Sequence, residues 1–211
     1  MKPLILALDT TREFGSIALS RGGELLEETA MHAPTGFAHV LYGHLGALLE
    51  RNGVTVNDVD LFAASAGPGS FTGVRVGLAC IKGLAEAVGK PAVAVSNLCA
   101  ISTFGAAPLR AVLLDARRGE VYAAVYDAEA NIVIPETVGP LAAWLETLPA
   151  GPMEFITGDL DLVLLPATAI QAPQSIAAAI ARVAFQSPPA DPAALDANYV
   201  RRSDAELFWK E

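Results

Sequence analysis

The chain is short of several things, and each shortage removes a class of function. Cys80 and Cys99 are its only cysteines, without C-x-x-C spacing. Two thiols in apolar settings read as small hydrophobes in a reducing compartment, the other reading being a disulfide between them, and no zinc ribbon is on offer. Histidine is equally scarce. His32, His39 and His44 are seven and five residues apart, whereas metal pairs on a helix need i, i+3 or i, i+4, so a metal-free chain is expected. Lys and Arg number 14 against 23 Asp and Glu, for a net charge of −9, which argues against a protein that grips nucleic acid unaided. Long hydrophobic runs are missing too: the apolar start of MKPLILALDTTREFG stops at Asp9, too early for a signal peptide or a membrane span, so the expected location is the cytoplasm. Neither Ser65 nor Ser70 lies in G-x-S-x-G, which leaves nucleophilic catalysis without support.

What is present suffices for a real core, since 53% of the 211 residues are hydrophobic and 18% charged; one or two compact domains are expected. Leu4 to Leu8, Gly15 to Ser20 and Glu24 to Met31 read as a three-stranded meander. A helix begins at Pro34-Thr35-Gly36 and runs to Leu49, with Phe37, Val40, Leu41, Leu45, Leu48 and Leu49 on one face and Gly36, Gly43, Gly46 and Ala47 on another. Val59 to Ala66 is a strand. The helix from about Thr72 to Val88 is charged only at Arg75, Lys82 and Glu86, and a helix apolar nearly all round is covered on more than one side, by its own layers or by another subunit. A strand from Ala92 to Val95, a short helix from Asn97 to Phe104 and a hinge at Gly105-Ala106-Ala107-Pro108 close a first α/β domain, residues 1–104. The second and smaller α/β domain, 105–211, opens with a hairpin, Leu109 to Leu114 and Glu120 to Tyr126, that partly echoes the first meander. Its later signals are weaker: a helix near Leu141 to Thr147, a strand near Glu154 to Thr157, a helix near Ser175 to Phe185, and a tail from about 193 that can pack back on the first domain.

The stretch with most chemistry is Gly67-Pro68-Gly69-Ser70-Phe71-Thr72-Gly73, between a strand and a helix. Gly67, Gly69 and Gly73 allow positive φ or close approach, and Ser70 or Thr72 can cap the helix. A helix N-terminus attracts anions, Asp9 at the end of the first strand can orient water or hydrated Mg²⁺, and Thr10 and Thr11 can bond phosphate oxygens, so one reading is a phosphate-facing loop. The other is a tight strand-to-helix turn with a capping aspartate. The spacing matches neither G-x-G-x-x-G nor a Walker A loop.

LALDTT, SAGPGSFTGVRVGLACIKGLA, DARRGEVYAAVYD and YVRR, in this order, resemble the TsaB (YeaZ) family, bacterial proteins needed to make threonylcarbamoyladenosine in transfer RNA. The resemblance is dense in the first half and rests on two islands in the second; residues 151–190 carry no family motif. It implies a two-domain α/β fold of the actin-like and sugar-kinase-like ATPase type, with ribonuclease H-like halves and mixed sheets. It implies a subunit without catalytic residues or cofactor of its own, ATP or ADP belonging to the complex interface. The implied partners are a TsaD-like catalytic subunit, which holds its metal through a His-x-x-x-His motif absent here, and a TsaE-like ATPase. Transfer RNA is reached only through the complex, no membrane is involved, and a second copy replaces TsaD when the chain is alone. In such proteins the helices at about 36–49 and 72–88 form the interface. Val40, Gly43, Ala47, Val76, Cys80, Gly83 and Ala87 are the residues expected to pack there, with Arg75, Arg117 and Arg118 as polar contacts. The competing expectations are an ATP-binding kinase or ATPase of the same fold using Asp9, Thr10 and the glycine loop, a glycoprotease-like homologue without a working site, and a plain homodimer.

Overall fold

The computed structural model describes residues 2–159, 165 and 169–200. Its contacts fall into two compact units: the chain up to Ala100 with Pro173–Ala197, and Ile101–Ala172 with the chain from Asn198. In the first, β1 (Leu4–Asp9), β2 (Phe14–Arg21) and β3 (Glu24–His32) form the expected antiparallel meander. α1 (Leu41–Arg51) leads to β4 (Leu61–Gly67), and α2 (Phe71–Val88) to β5 (Ala92–Ser96); β4 pairs parallel with β1 and β5 parallel with β4. The sheet order is β3-β2-β1-β4-β5. α3 (Asn97–Ser102) carries the chain into the second unit.

The second unit repeats the plan. β6 (Leu109–Asp115), β7 (Glu120–Asp127) and β8 (Ile132–Pro140) make another antiparallel meander; α4 (Leu141–Leu145) follows, and β9 (Met153–Thr157) and β10 (Ile170–Gln171) add in parallel on the far side of β6. The order, β10-β9-β6-β7-β8, is that of the first sheet read from the other edge. β8 and the two-residue β10 are strands that the sequence reading lacked. β8 carries Pro135 and Pro140 and lies at a sheet edge with alternating exposure, where the N–H donor that proline lacks is not needed by a further strand.

α5 (Ala177–Gln186) returns to the first unit, whereas the sequence reading ran the second domain unbroken from residue 105. The reason lies in β1 and β4, both buried along their whole length. Side chains alternate across a strand. Leu4, Leu6 and Leu8 share a core with Leu45 and Leu48 of α1 and Leu78 and Ile81 of α2, so Ile5 and Ala7 need cover on the opposite face. α5 packs there against β1 and β2, burying Ala177, Ile180, Ala181 and Ala184. The segment after α5 stays in this unit: Ala92 and Ala190 form a bridge, Leu195 is buried in the first core, and Lys82 Nζ donates to the carbonyls of Ala193 and Leu195 at 3.1 and 3.0 Å. The arginines of YVRR, Arg201 and Arg202, lie outside the described residues.

The helix expected from Thr35 is interrupted. Phe37–His39 makes a single 3₁₀ turn and the regular helix starts at Leu41, with Val40 at its N-cap. Gly36 has φ 102°, and the helix has neither a side-chain cap nor an acidic first turn to extend it backwards. Val40 is therefore partly exposed, off the apolar face where periodicity placed it.

Candidate partner-binding face and glycine loop

At the end of β1, Asp9, Thr10 and Thr11 are all buried. Asp9 Oδ1 accepts from Thr11 N, Thr11 Oγ1 and Ser65 Oγ at 3.0, 2.7 and 2.8 Å, and Asn97 Nδ2 donates to Thr11 Oγ1. The cluster sits where β1, β4 and β5 end together, the usual ligand edge of a parallel sheet. Asp9 Oδ2 and Asn97 Oδ1 are buried and have no hydrogen-bond partner among the described residues.

The glycine loop is bonded to the chain itself. Gly67 takes φ 101°, a conformation that favours glycine. Of the two candidate caps, Ser70 is used: its Oγ accepts from Gly73 N at 3.2 Å. Ser70 N donates to Thr11 O at 2.7 Å and Val74 N to Ser70 O at 2.8 Å. Thr10 Oγ1 donates to Gly73 O at 2.7 Å. The backbone comes close because it lacks side chains. A Cβ on Gly69 would stand 2.7 Å from Thr11 O, on Gly73 2.1 Å from Thr10 O, and on Gly77 2.6 Å from Thr10 Oγ1. The i, i+4, i+8 glycines thus form an internal seam against the Thr10-Thr11 turn. Thr72, the other candidate cap, is exposed.

The remaining glycines of these helices face outward. A Cβ on Gly43, Gly46 or Gly83 would meet nothing within 4 Å. With them lie exposed Arg75, Ala79 and Ala87 and half-buried Ala47 and Val76. Most of the expected interface positions on α1 and α2 are therefore accessible. Cys80 is the exception and a correction: it is buried in the core, and its thiol hydrogen-bonds the Tyr42 hydroxyl. Burial pushes that thiol from 9.0 up to about 11, the Tyr42 bond pulling weakly the other way. The same pairing raises the Tyr42 hydroxyl, Cys80 being the main cause.

Two residues that pattern reasoning missed flank this face. Tyr42 is 63% exposed and Phe71 45%, and the Arg75 guanidinium lies 3.6 Å from the Phe71 ring centroid. The available signal was an aromatic one position off the Leu41, Leu45, Leu48 stripe. A cleft of about 430 Å³ opens beside the first turns of α2, lined by Arg12, Phe37, His39, Thr72 and Val76 among others. Arg117 and Arg118 belong to the second unit, in the β6–β7 turn, exposed and at φ 64° and 58°. Arg117 pairs with Asp115, its N–H on Oδ1 at 2.7 Å and its guanidinium on Oδ2 at 3.3 Å. Among the described residues no group of three His, Cys, Asp or Glu is placed to hold a metal ion.

The chain has recognisable relatives. A family model described as TsaD, tRNA N6-adenosine threonylcarbamoyltransferase, matches residues 33–188. The "tRNA threonylcarbamoyladenosine biosynthesis protein TsaB" of Bacillus subtilis is 32% identical over 165 residues, 75% of this chain and 72% of that protein. The Escherichia coli protein of the same description is 34% identical over 132 residues, 60% of this chain and 56% of that one. Among solved structures, YeaZ from Pseudomonas aeruginosa superposes with TM-score 0.77 at 25% identity, covering 93% of this chain and 99% of that one. An activator of 2-hydroxyisocaproyl-CoA dehydratase from Clostridium difficile, with bound ADPNP, covers 87% and 94% at TM-score 0.53 and 9% identity, a likeness of fold alone. Two mixed sheets of one topology, an α2 launched by GPGSFTG and these matches together place the chain in the TsaB (YeaZ) family, with its actin-like, ribonuclease H-like α/β fold.

Proposed function

We propose that this chain is a partner subunit of the machinery that makes threonylcarbamoyladenosine in transfer RNA, without catalytic activity of its own, and that its α1–α2 face binds a TsaD-like catalytic subunit. The observation that carries the reading is the composition of that face. Gly43, Gly46 and Gly83 leave open space where most helices carry side chains, so another helix pair can approach closely, and Tyr42 and the Phe71–Arg75 pair stand beside it as anchors. Aromatic and arginine side chains carry most of the energy in protein interfaces. The match to a TsaD family model over residues 33–188 supports a partner of the same fold, and related chains meet readily through equivalent surfaces.

On this reading a second copy occupies the face when the TsaD-like subunit is absent, a TsaE-like ATPase joins the pair, and transfer RNA is engaged by the complex. ATP or ADP is assigned to the assembled complex. The internal bonds of Ser70, Gly73 and Val74 N–H favour a loop that launches α2 over one that cradles phosphate. Among the described residues no helix is long and apolar enough to cross a membrane.

The test is the mass of the purified chain with and without a TsaD-like subunit, by light scattering. The expected outcome is a one-to-one complex that Gly83→Arg abolishes. A wild-type chain that stays separate, or a complex indifferent to Gly83→Arg, overturns the proposal. Hydrolysis of ATP by the chain alone overturns the non-catalytic part.

A further inference from the structure

The face proposed to bind a partner is the outward side of α2. Part of what fixes the first turns of α2 is one buried side chain. Thr10 is 1% exposed. Its hydroxyl donates to the Gly73 carbonyl at 2.7 Å, its own carbonyl lies where a Gly73 Cβ would be, at 2.1 Å, and its Oγ1 occupies the space of a Gly77 Cβ, at 2.6 Å. A single residue thus fills the seam along the first two turns of α2. Thr72 and Arg75 are exposed on those turns, with half-buried Val76 beside them.

We infer that Thr10 is a positioning residue for the partner face: its hydroxyl on Gly73 sets the placement of the N-terminal half of α2 and so aligns Phe71, Arg75 and Val76 for docking. The inference rests on the proposed function for its readout, but not for its geometry. Three features support positioning over simple space filling. The bond is directional and buried, and it links elements 63 residues apart. It falls on the carbonyl of a glycine, a residue that by itself loosens a helix. The neighbouring Thr11 makes the parallel contact one step earlier, its carbonyl accepting Ser70 N at 2.7 Å, so the turn grips both the cap and the first turns. Close packing makes such a seam intolerant of small displacements, and a misplacement of about 1 Å is felt strongly at a preorganised site.

The experiment uses the full chain and a TsaD-like subunit. Thr10→Ser keeps the hydroxyl, Thr10→Val keeps the shape and loses it, and Ser16→Ala removes a buried hydrogen bond elsewhere in the same unit. Each variant is titrated with the partner at a temperature where circular dichroism shows it folded, and amide exchange of residues 71–79 is followed in the free chain. Thr10→Val is expected to weaken binding at least tenfold and to speed exchange in that segment. Thr10→Ser is expected within about twofold of wild type on both counts, and Ser16→Ala to lower thermal stability while leaving affinity unchanged. If Thr10→Val binds and exchanges like wild type, or if Ser16→Ala loses as much affinity, the inference fails. If wild type itself does not bind, the proposed function fails, and the exchange arm still decides whether Thr10 holds α2.

Discussion

Ser16 and Ala177 lie 161 residues apart in the chain, yet the serine Oγ accepts the Ala177 N–H at 2.9 Å and the adjacent Ile176 N–H at 3.1 Å. Glu28 Oε1 takes the next amide, from Ala178, at 3.0 Å. α5 has no side-chain cap from its own sequence. Its N-terminal donors, which every helix leaves unsatisfied, are met by residues of β2 and β3.

Ser16→Ala is expected to cost about 2 kcal/mol, because the bond is buried and two amides lose their acceptor. For a chain of this size that is a fall in Tm of roughly 4–8 °C. Limited proteolysis should show faster cleavage between residues 187 and 192 as α5 loosens. An unchanged melting curve would show that the helix is held by its apolar face alone.

The same contact explains what the sequence made legible and what it hid. The first meander was readable because Leu4 to Leu8, Gly15 to Ser20 and Glu24 to Met31 are separated by unambiguous turn residues. α2 was readable because a long apolar run follows the turn residues Gly67 to Ser70 and ends at Gly89. The membership of α5 was not, since its cap comes from Ser16 and nothing local to residues 173–177 marks it. β8 was masked by its prolines, which an edge strand tolerates. In the candidate face, small residues were visible as a group, but periodicity alone could not divide them. Gly69, Gly73 and Gly77 press on Thr10 and Thr11, whereas Gly43, Gly46 and Gly83 face open space, a division that depends on which neighbours the fold brings.

That division makes opposite predictions for similar substitutions. Gly83→Ala adds a methyl group in open space and replaces the poorer helix former, so the isolated chain should gain about 1 kcal/mol, while affinity for a TsaD-like partner falls. Gly73→Ala puts a Cβ against the Thr10 backbone carbonyl and should destabilise the isolated chain by about 1–3 kcal/mol. Urea unfolding of both variants, with partner titration of Gly83→Ala, checks the pair of signs. A loss of stability in Gly83→Ala contradicts the outward assignment.

Tyr42 and Phe71 give a third test. Both are substantially exposed, so Phe71→Ala should leave the unfolding midpoint nearly unchanged, while Tyr42→Ala, which also removes the hydroxyl bonded to the Cys80 thiol, should lower it slightly. Anchors of this kind typically contribute about 2 kcal/mol to binding, roughly a thirtyfold rise in Kd for Tyr42→Ala or Phe71→Ala. Isothermal titration with the TsaD-like subunit measures it. Affinities equal to wild type for both variants would move the interface away from this end of the helices.

Cys80 allows a test that needs no partner. Burial holds its thiol protonated, raising it from 9.0 to about 11, so the unfolded chain releases this proton first as pH climbs. Below about pH 9 both states keep the proton and its contribution to stability is complete. Through the interval up to about 11 the unfolded state binds fewer protons than the folded one, so stability must fall with rising pH. Other groups titrate in this range, and the informative quantity is the difference from Cys80→Ala. That variant should begin less stable, because it leaves a small cavity beneath Tyr42, and should lose less stability between pH 9 and pH 11. At neutral pH the same burial predicts slow reaction of the native Cys80 thiol with an alkylating reagent and fast reaction in urea, read by mass spectrometry of the labelled peptide. Rapid native labelling of Cys80, or parallel stability curves for the two proteins, would place the thiol on the open face and not in the core.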